Sequence, residues 1–148
     1  MFCKDTSELE LYIKAEYAKI EPVAREMGVY QPLKVIFAPP SPMVLEGSFC
    51  YTMDNEYHYV SKDRGKIKQD NTTYSLFEIT YWGIRFAVSL MSSDYARRNR
   101  EPGKDLRRIM FDARLRLWDA MGGNYRKRAE IEIDEILKEN PYNDRLYP

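Results

Sequence analysis

Apolar residues recur every three or four positions near the start of the chain, which is the spacing of one face of a helix. The residues of this stripe are Leu9, Ile13, Tyr17 and Ile20. The stripe predicts a helix that starts near Thr6, where the hydroxyl of Ser7 and the carboxylate of Glu10 fit a capping box. Pro22 cannot donate a backbone hydrogen bond to the preceding turn, so the helix is expected to kink or restart there.

The pattern then changes to short β-type runs. Residues 33–38 predict a first strand, and the prolines that follow it predict a stiff loop. Residues 47–53 and 56–62 alternate along their length and are separated by Asp54-Asn55, a pair that tolerates the positive φ angles of a hairpin turn. Residues 66–69 add a short edge strand, whose lysines discourage pairing with another sheet edge.

Helical spacing returns in the second half of the chain. Thr73 or Ser75 can cap a long helix that runs to about Arg98, and Gly83 within it permits close packing. Asp105 is a good N-cap for the next helix. A Gly-Gly pair ends that helix before a last one begins.

These elements predict an α+β fold with an N-terminal helix, a small antiparallel meander of three to four strands, and then three helices packed on the sheet. The length of 148 residues fits one domain, so we expect residues 1–148 to form a single domain with an irregular tail from about residue 141. The apolar stretch over residues 76–91 is too short to span a bilayer, and no signal peptide is visible. The protein is therefore expected to be soluble and cytoplasmic.

Composition excludes several kinds of chemistry. The chain has 23 Lys and Arg against 23 Asp and Glu, and this zero net charge argues against a general nucleic-acid binder. Cys3 and Cys50 have neither zinc spacing nor the spacing of a redox pair. The only histidine, His58, lies in the second hairpin strand, which excludes a multi-histidine metal site. No nucleophile motif and no phosphate-binding glycine loop is present, so we predict no catalytic residue, cofactor or metal.

The charges are segregated along the chain. Residues 97–116 are strongly basic, whereas the segment from Glu130 onward is acidic. The last helix carries its basic residues first and its acidic residues last, which opposes the helix dipole. Two interpretations remain open: a solvated, ion-paired surface, or a protein interface whose patches steer a partner of opposite pattern. Arg107 and Arg108 flank apolar positions and are expected to be tied to local carboxylates.

Several short phrases, in their order and spacing, resemble one protein family. They are Tyr59-Val60, Arg64-Gly65, Tyr81-Trp82, Asp105-Leu106-Arg107-Arg108, Phe111, Leu117, Ile136-Leu137, Asn140-Pro141 and Asp144. Together they resemble the bacterial polymorphic-toxin immunity proteins known as immunity protein 63, over about residues 56–144. The resemblance implies a non-enzymatic protein that binds a cognate toxin in the cytoplasm and neutralises it, by blocking its active site or by holding it in an inactive arrangement.

A toxin interface should combine aromatic anchors with a charged patch. We therefore expect the partner-binding residues to include the hairpin tyrosines Tyr57 and Tyr59 and the acidic residues Glu130, Asp134 and Glu135 of the last helix. Acidic residues suit a nuclease toxin, whose active site must attract phosphate. Sheet packing is the alternative role for the tyrosines, and a solvated helix face is the alternative for the acids.

Two other functions compete with this one. A nucleic-acid-associated or regulatory binding module would use the basic residues 97–116, and its affinity for DNA or RNA would fall steeply as salt rises. A small enzyme would use carboxylates and His58, but nothing in the sequence places a nucleophile beside a base.

Overall fold

The computed structural model describes residues 2–147. The helices are α1 (Thr6–Ala18), α2 (Glu21–Glu26), α3 (Leu76–Arg98), α4 (Leu106–Asp119) and α5 (Tyr125–Glu139), with a 3-10 turn at Asp144–Leu146. The strands are β1 (Val35–Ile36), β2 (Gly47–Met53), β3 (Glu56–Asp63) and β4 (Lys66–Thr73). This order confirms the predicted α+β fold, in which an N-terminal helix precedes a small sheet and three helices follow it. Among residues 2–147, no helix is long and apolar enough to cross a bilayer.

The chain forms two compact units. The first comprises the residues up to Ala18 together with Pro32–Phe86, and the second comprises Lys19–Gln31 and the residues from Ala87 onward. Helix α3 therefore contributes residues to both units. The one-domain organisation of the chain stays a prediction.

Helix α1 starts where the sequence predicts, but its capping box lies two residues earlier. The carboxylate of Asp5 accepts a hydrogen bond from the backbone N–H of Glu8 at 2.8 Å, and the Glu8 carboxylate accepts one from the Asp5 N–H at 3.0 Å. The prediction of Ser7 and Glu10 was wrong because Asp5 offers the same reciprocal pair one position before Thr6. Glu10 instead accepts a hydrogen bond from the Lys14 ammonium at 2.6 Å on the exposed side of the helix.

The sheet has the strand order β1-β2-β3-β4 and is mostly antiparallel. The β2–β3 hairpin forms as predicted, and Asp54 and Asn55 at its turn have φ angles of 54° and 56°. Two details differ from the sequence prediction. Strand β1 is only two residues long and pairs in parallel with β2, whereas the predicted run covered residues 33–38. Strand β4 continues to Thr73, beyond the predicted residue 69, because its backbone keeps pairing with β3 despite polar side chains.

Both faces of the β2–β3 hairpin are covered in the first unit. Phe49, Tyr51 and Val60 form a buried cluster on one face, against which Val44 of the preceding loop packs. Cys50 faces the other way, because successive side chains in a strand alternate between the two faces. A Cβ atom built on Gly83 of α3 would lie 3.2 Å from the Cys50 sulfur, so the absence of a side chain there lets α3 approach the sheet closely.

The second unit has a separate set of buried residues from its helices. Trp118 of α4 is fully buried and stacks on Tyr125 of α5, with 5.8 Å between the ring centroids. Leu117 of α4 and Ala129 and Ile133 of α5 are also buried. Asp105 caps α4 as predicted, since its side chain accepts a hydrogen bond from the Arg107 N–H.

We predict that Gly83→Ala destabilises the protein by about 1–2 kcal/mol, because the new methyl group crowds the Cys50 sulfur. Helix propensity alone would favour alanine by about 1 kcal/mol, so the two physical effects have opposite signs. Urea denaturation measures the difference in the free energy of unfolding.

The matched background for this test is Cys50→Ala, which removes the sulfur atom that Gly83→Ala would crowd. In that background, Gly83→Ala should be neutral or stabilising. An equal loss of stability in both backgrounds would contradict the close-approach explanation.

Candidate partner-binding site

The exposed face of α5 carries the three predicted acidic site residues. Glu130, Asp134 and Glu135 are all exposed on this helix. Ile131 lies among them with 51% of its surface exposed. Residues three and four apart are neighbours on a helix surface, so Asp134 and Glu135 flank Ile131. The structure therefore brings the three acids together around an exposed apolar side chain.

Ile131 is not among the predicted site residues, although the chain carries a signal for it. The apolar stripe of α5 runs through Tyr125, Ala129 and Ile133, which are buried. Ile131 is off that stripe, on the polar face of an otherwise charged helix. An apolar residue in such a position is not part of the buried stripe and is a candidate contact for another molecule.

Helix α5 carries basic residues first and acidic residues last, which opposes the helix dipole. Ion pairs along the helix offset part of this unfavourable interaction. The Arg126 Nε donates to Glu130 Oε1 at 3.0 Å, and the Arg128 guanidinium lies 3.6 Å from a Glu132 carboxylate oxygen. Both are pairs four residues apart, which are neighbours on a helix surface. The exposed carboxylates of Asp134 and Glu135 lie one turn further along the helix.

Tyr57 and Tyr59 are buried, with only 3% and 4% of their surfaces exposed. The Tyr57 hydroxyl accepts a hydrogen bond from the backbone N–H of Lys4 at 2.8 Å, and burial raises the pKa of Tyr57. The Tyr59 hydroxyl lies 3.1 Å from the Ser48 hydroxyl. The first contact ties the hairpin to the N-terminal segment, and the second joins its two strands. A direct contact of either ring with a partner stays a prediction.

His58 is part of the sheet rather than of a cluster of reactive groups. Its ring stacks on Tyr51, the residue directly opposite on β2, with 4.8 Å between centroids and 9° between ring planes. Its Nε2 lies 3.2 Å from the Met53 carbonyl oxygen and 4.0 Å from a Glu56 carboxylate oxygen. Across the part of the chain that the structure describes, no three His, Cys, Asp or Glu side chains are grouped as a metal site requires.

Most of the arginines and lysines of residues 97–116 have acidic neighbours. The ion pairs include Arg98 with Asp94 at 3.1 Å, Lys104 with Glu101 at 2.9 Å, Arg107 with Asp105 at 2.9 Å, Arg108 with Asp144 at 2.9 Å, and Arg116 with Glu26 at 3.6 Å. A cation that is already paired with a carboxylate offers less charge to a phosphate group. The basic stretch is therefore far less basic in the folded chain than its composition indicates.

Asp105 connects the start of α4 to the C-terminal segment. Its carboxylate, 2% exposed, accepts hydrogen bonds from the Arg107 backbone and side chain and from the backbone N–H of Asn143. Arg107 also donates to the carbonyl oxygens of Asn140 and Pro141, at 2.7 and 2.8 Å. These bonds hold the segment after α5 against α4.

Asp144 completes this connection from the opposite side. Its carboxylate accepts hydrogen bonds from the Asp105 backbone N–H at 2.7 Å and from the Arg108 Nε at 2.9 Å. Arg108 also lies over the Tyr142 ring, 4.1 Å from its centroid. We call Asp105, Arg107, Arg108 and Asp144 the tail clamp. The expectation that both arginines are tied to local carboxylates is confirmed.

The tail clamp lowers the pKa values of its two carboxyl groups. Hydrogen bonds from the Arg107 side chain hold the pKa of Asp105 at about 2, and the hydrogen bond from Arg108 lowers the pKa of Asp144. Both shifts favour the charged form because a charged donor is directed at each carboxylate. The charged residues of the clamp therefore have a structural role.

The family of this chain follows from a comparison with models of known protein families. A family model described as immunity protein 63 matches residues 54–135, which is 82 of the 148 residues. The chain belongs to the immunity protein 63 family. No curated protein and no solved structure matched the chain.

The immunity protein 63 match covers β3, β4, α3, α4 and most of α5. It includes all five predicted site residues, and it confirms the resemblance drawn from short phrases of sequence. Asn140-Pro141 and Asp144 lie beyond its end at residue 135. The tail clamp thus joins residues of the matched region to residues outside it.

We predict that Asp105→Asn lowers the free energy of unfolding by about 2 kcal/mol at pH 7, because it removes the charge that holds Arg107. The folded-state pKa of Asp105 is below that of an ordinary aspartate, so its stabilisation is complete above about pH 4 and is lost as the pH falls toward 2. Urea denaturation of both proteins across this range should show the difference shrink as the pH falls.

Asp119→Asn is the matched control, since Asp119 lies at the end of the same helix and its side chain is 64% exposed. That substitution should change stability by less than about 0.5 kcal/mol at any pH in the range. Equal stability of Asp105→Asn and the wild type at pH 7 would show that the clamp does not depend on charge.

Proposed function

We propose that this protein binds a cognate bacterial toxin in the cytoplasm and neutralises it without catalysis, as part of a polymorphic or contact-dependent toxin system. The observation that carries the proposal is the immunity protein 63 match over residues 54–135. Neutralisation by binding requires a surface that fits the toxin, and it requires no reactive residue in the immunity protein.

We propose that the exposed face of α5 is part of that surface. Binding energy in interfaces is concentrated in a few central apolar or aromatic residues surrounded by polar ones. Ile131 with Asp134 and Glu135 beside it has this arrangement. Ile131 has 51% of its surface exposed and lies off the buried stripe of α5, so core packing does not explain an isoleucine at this position.

An acidic interface suits a toxin with a basic active site, and a nuclease is the class we favour. A nuclease must attract phosphate, so carboxylates can occupy the same positively charged cleft and accelerate association. The paired cations of residues 97–116 make the alternative function, binding of nucleic acid by this chain itself, the weaker candidate.

The two hairpin tyrosines have different proposed roles, Tyr57 in contact with the partner and Tyr59 in the structure of the hairpin. Tyr57 lines an open cavity of about 600 Å³ together with Phe2, Tyr74 and Leu76, and Phe2 and Tyr74 are themselves exposed. This cavity would let the edge of the Tyr57 ring meet a partner side chain. Tyr59 would act by keeping the hairpin in shape, through its contact with Ser48.

The first test is growth of cells that express the product of the gene immediately upstream. We expect that product alone to stop growth, and co-expression of this protein to restore it. The tagged pair should also co-purify. Growth arrest that persists on co-expression, with no complex recovered, would contradict the proposed function.

A second test addresses the α5 face. We predict that Ile131→Asp, and separately the double substitution Asp134→Lys/Glu135→Lys, weakens binding of the upstream gene product by at least about tenfold, as measured by titration calorimetry. All three residues are exposed, so the free energy of unfolding should change by no more than about 0.5 kcal/mol.

Leu11→Asp is the matched control for Ile131→Asp, since Leu11 is an aliphatic residue on helix α1 and is 72% exposed. It should leave the affinity unchanged. Binding that survives both α5 variants would place the interface elsewhere on the chain.

A further inference from the structure

The sheet has an open edge at strand β4. The strand order is β1-β2-β3-β4, and among residues 2–147 no further strand pairs with the outer side of β4. The side chains of residues 66–72 are all exposed, so this strand adds nothing to the buried core. Backbone N–H and C=O groups on the outer side of an edge strand are unpaired and can bond to another extended chain.

The two hairpin turns show in which direction each residue of β3 forms its backbone hydrogen bonds. Asp54-Asn55 is a two-residue turn with positive φ angles, so the flanking residues Met53 and Glu56 form a hydrogen-bonded pair. The direction alternates along a strand, so even-numbered residues of β3 bond to β2 and odd-numbered residues bond to β4. The Arg64-Gly65 turn gives the same assignment, because Asp63 beside it pairs with β4.

The pairing of β3 with β4 then identifies the backbone groups that point away from the sheet. The odd-numbered residues of β3 are opposite three residues of β4, in the pairs Tyr57 with Thr73, Tyr59 with Asn71, and Ser61 with Gln69. The backbone groups of these three β4 residues therefore point toward β3. Those of Asp70 and Thr72, which alternate with them, point outward and are not used by the sheet.

Features that oppose the addition of a strand are confined to the start of β4. Lys66 and Lys68 lie there, and Lys68 is also the extra residue of a β-bulge opposite Ser61 and Lys62. The sequence predicted an edge strand over residues 66–69 only, and its lysines were expected to discourage pairing. Residues 69–73, by which the strand extends to Thr73, contain no lysine, proline or bulge. This second half of β4 can therefore accept another strand.

An apolar cavity lies at the end of this open edge. Tyr74, the residue after β4, lines the cavity of about 600 Å³ together with Phe2, Tyr57 and Leu76. Phe2 and Tyr74 have 95% and 62% of their surfaces exposed, so the cavity has apolar walls that the core does not use. A strand advances about 3.3 Å per residue, so a chain paired with Thr72 reaches Tyr74 within two more residues.

The chemistry of this edge selects an extended polypeptide as its occupant. Outward N–H and C=O groups on alternate residues match the backbone of another strand, whereas a helix has already paired its own backbone groups. The cavity next to the edge adds a place for one apolar side chain. Strand addition of this kind obtains affinity from main-chain hydrogen bonds and specificity from side-chain pockets.

A second copy of this chain fits the edge less well than a different protein does. A symmetric pair of β4 edges would run antiparallel, which brings the start of one strand to the end of the other. Lys66 and Lys68 would then lie at the apolar cavity, where a charged side chain is unfavourable. The cavity also adjoins Tyr57, for which we already propose a contact with the toxin.

We propose that an extended segment of the toxin binds to the edge of β4 as an additional strand. It forms backbone hydrogen bonds with Asp70 and Thr72 and places an apolar side chain in the cavity beside Tyr57. The inference rests on the proposed function and specifies how this part of the chain would hold the toxin. The β4 edge is already ordered by its pairing with β3, so only the toxin segment loses conformational entropy on binding.

Amide hydrogen exchange, measured by NMR on the full chain with and without the upstream gene product, tests this inference directly. In the chain alone, the amides of Asp70 and Thr72 should exchange rapidly, whereas those of Gln69 and Asn71 should be protected by their pairing with β3. In the complex, we expect the amides of Asp70 and Thr72 to exchange at least about tenfold more slowly. Gln69 and Asn71 serve as internal controls, since they are paired in both states.

Titration calorimetry of two variants supports the exchange measurement. Thr72→Pro removes an outward N–H, which an edge strand tolerates, and Phe2→Ser/Tyr74→Ser removes apolar walls of the cavity. Each should weaken binding of the upstream gene product by at least about tenfold.

The matched controls for these variants are Ser7→Pro and Leu11→Ser, which should leave the affinity unchanged. Ser7 is exposed in the first turn of α1, where proline is tolerated because the backbone N–H has no partner within the helix. Leu11 is an exposed apolar residue of the same helix. Urea denaturation shows whether each variant is folded, and the exchange measurement decides the question if Thr72→Pro is not.

Three outcomes would contradict the inference, and they separate it from the proposed function. A complex that forms while the amides of Asp70 and Thr72 still exchange rapidly would overturn the added strand and leave the proposed function intact. A dimer of this chain alone in analytical ultracentrifugation, with both amides protected, would assign the edge to a second copy. A wild-type pair that does not bind would remove the proposed function and this inference together.

Discussion

Asp105 holds two separate parts of the second unit with one buried carboxylate. It caps α4 through the Arg107 N–H and holds the C-terminal segment through the Asn143 N–H and the Arg107 side chain. A buried charge is tolerable only when hydrogen bonds and an opposite charge surround it, so each of these groups depends on the others being in place. The Asp144 carboxylate in the C-terminal segment adds to this connection by accepting hydrogen bonds from the Asp105 N–H and from Arg108.

This clamp changes which surfaces are candidates for function. Arg107 and Arg108 are the most conspicuous basic pair in the sequence, yet their charges are directed at Asp105 and Asp144. An arginine that is paired with a carboxylate within the fold offers less positive charge to a phosphate backbone. Ile131, exposed on α5 beside Asp134 and Glu135, is then a residue that neither the core nor the clamp explains.

Sequence and structure agree best where a local rule decides the outcome. Asp105 caps α4 because a carboxylate before an apolar helical stripe satisfies free backbone donors, and the Asp54-Asn55 turn follows from two residues that tolerate positive φ. The capping box of α1 was misplaced because Asp5 and Ser7 satisfy the same local rule. The length of β4 was missed because its pairing with β3 depends on a neighbouring strand and not on its own polar side chains.

The sequence by itself determined the order of the elements, the family and the presence of acidic residues on the last helix, since periodicity, capping and motif spacing are local properties. Only the tertiary structure decided that Tyr57 and Tyr59 are both buried. It also decided which carboxylates pair with the cations of residues 97–116, including the distant Asp144 and Glu26. Burial and charge pairing depend on residues far apart in the chain, and no local pattern specifies which of them will meet.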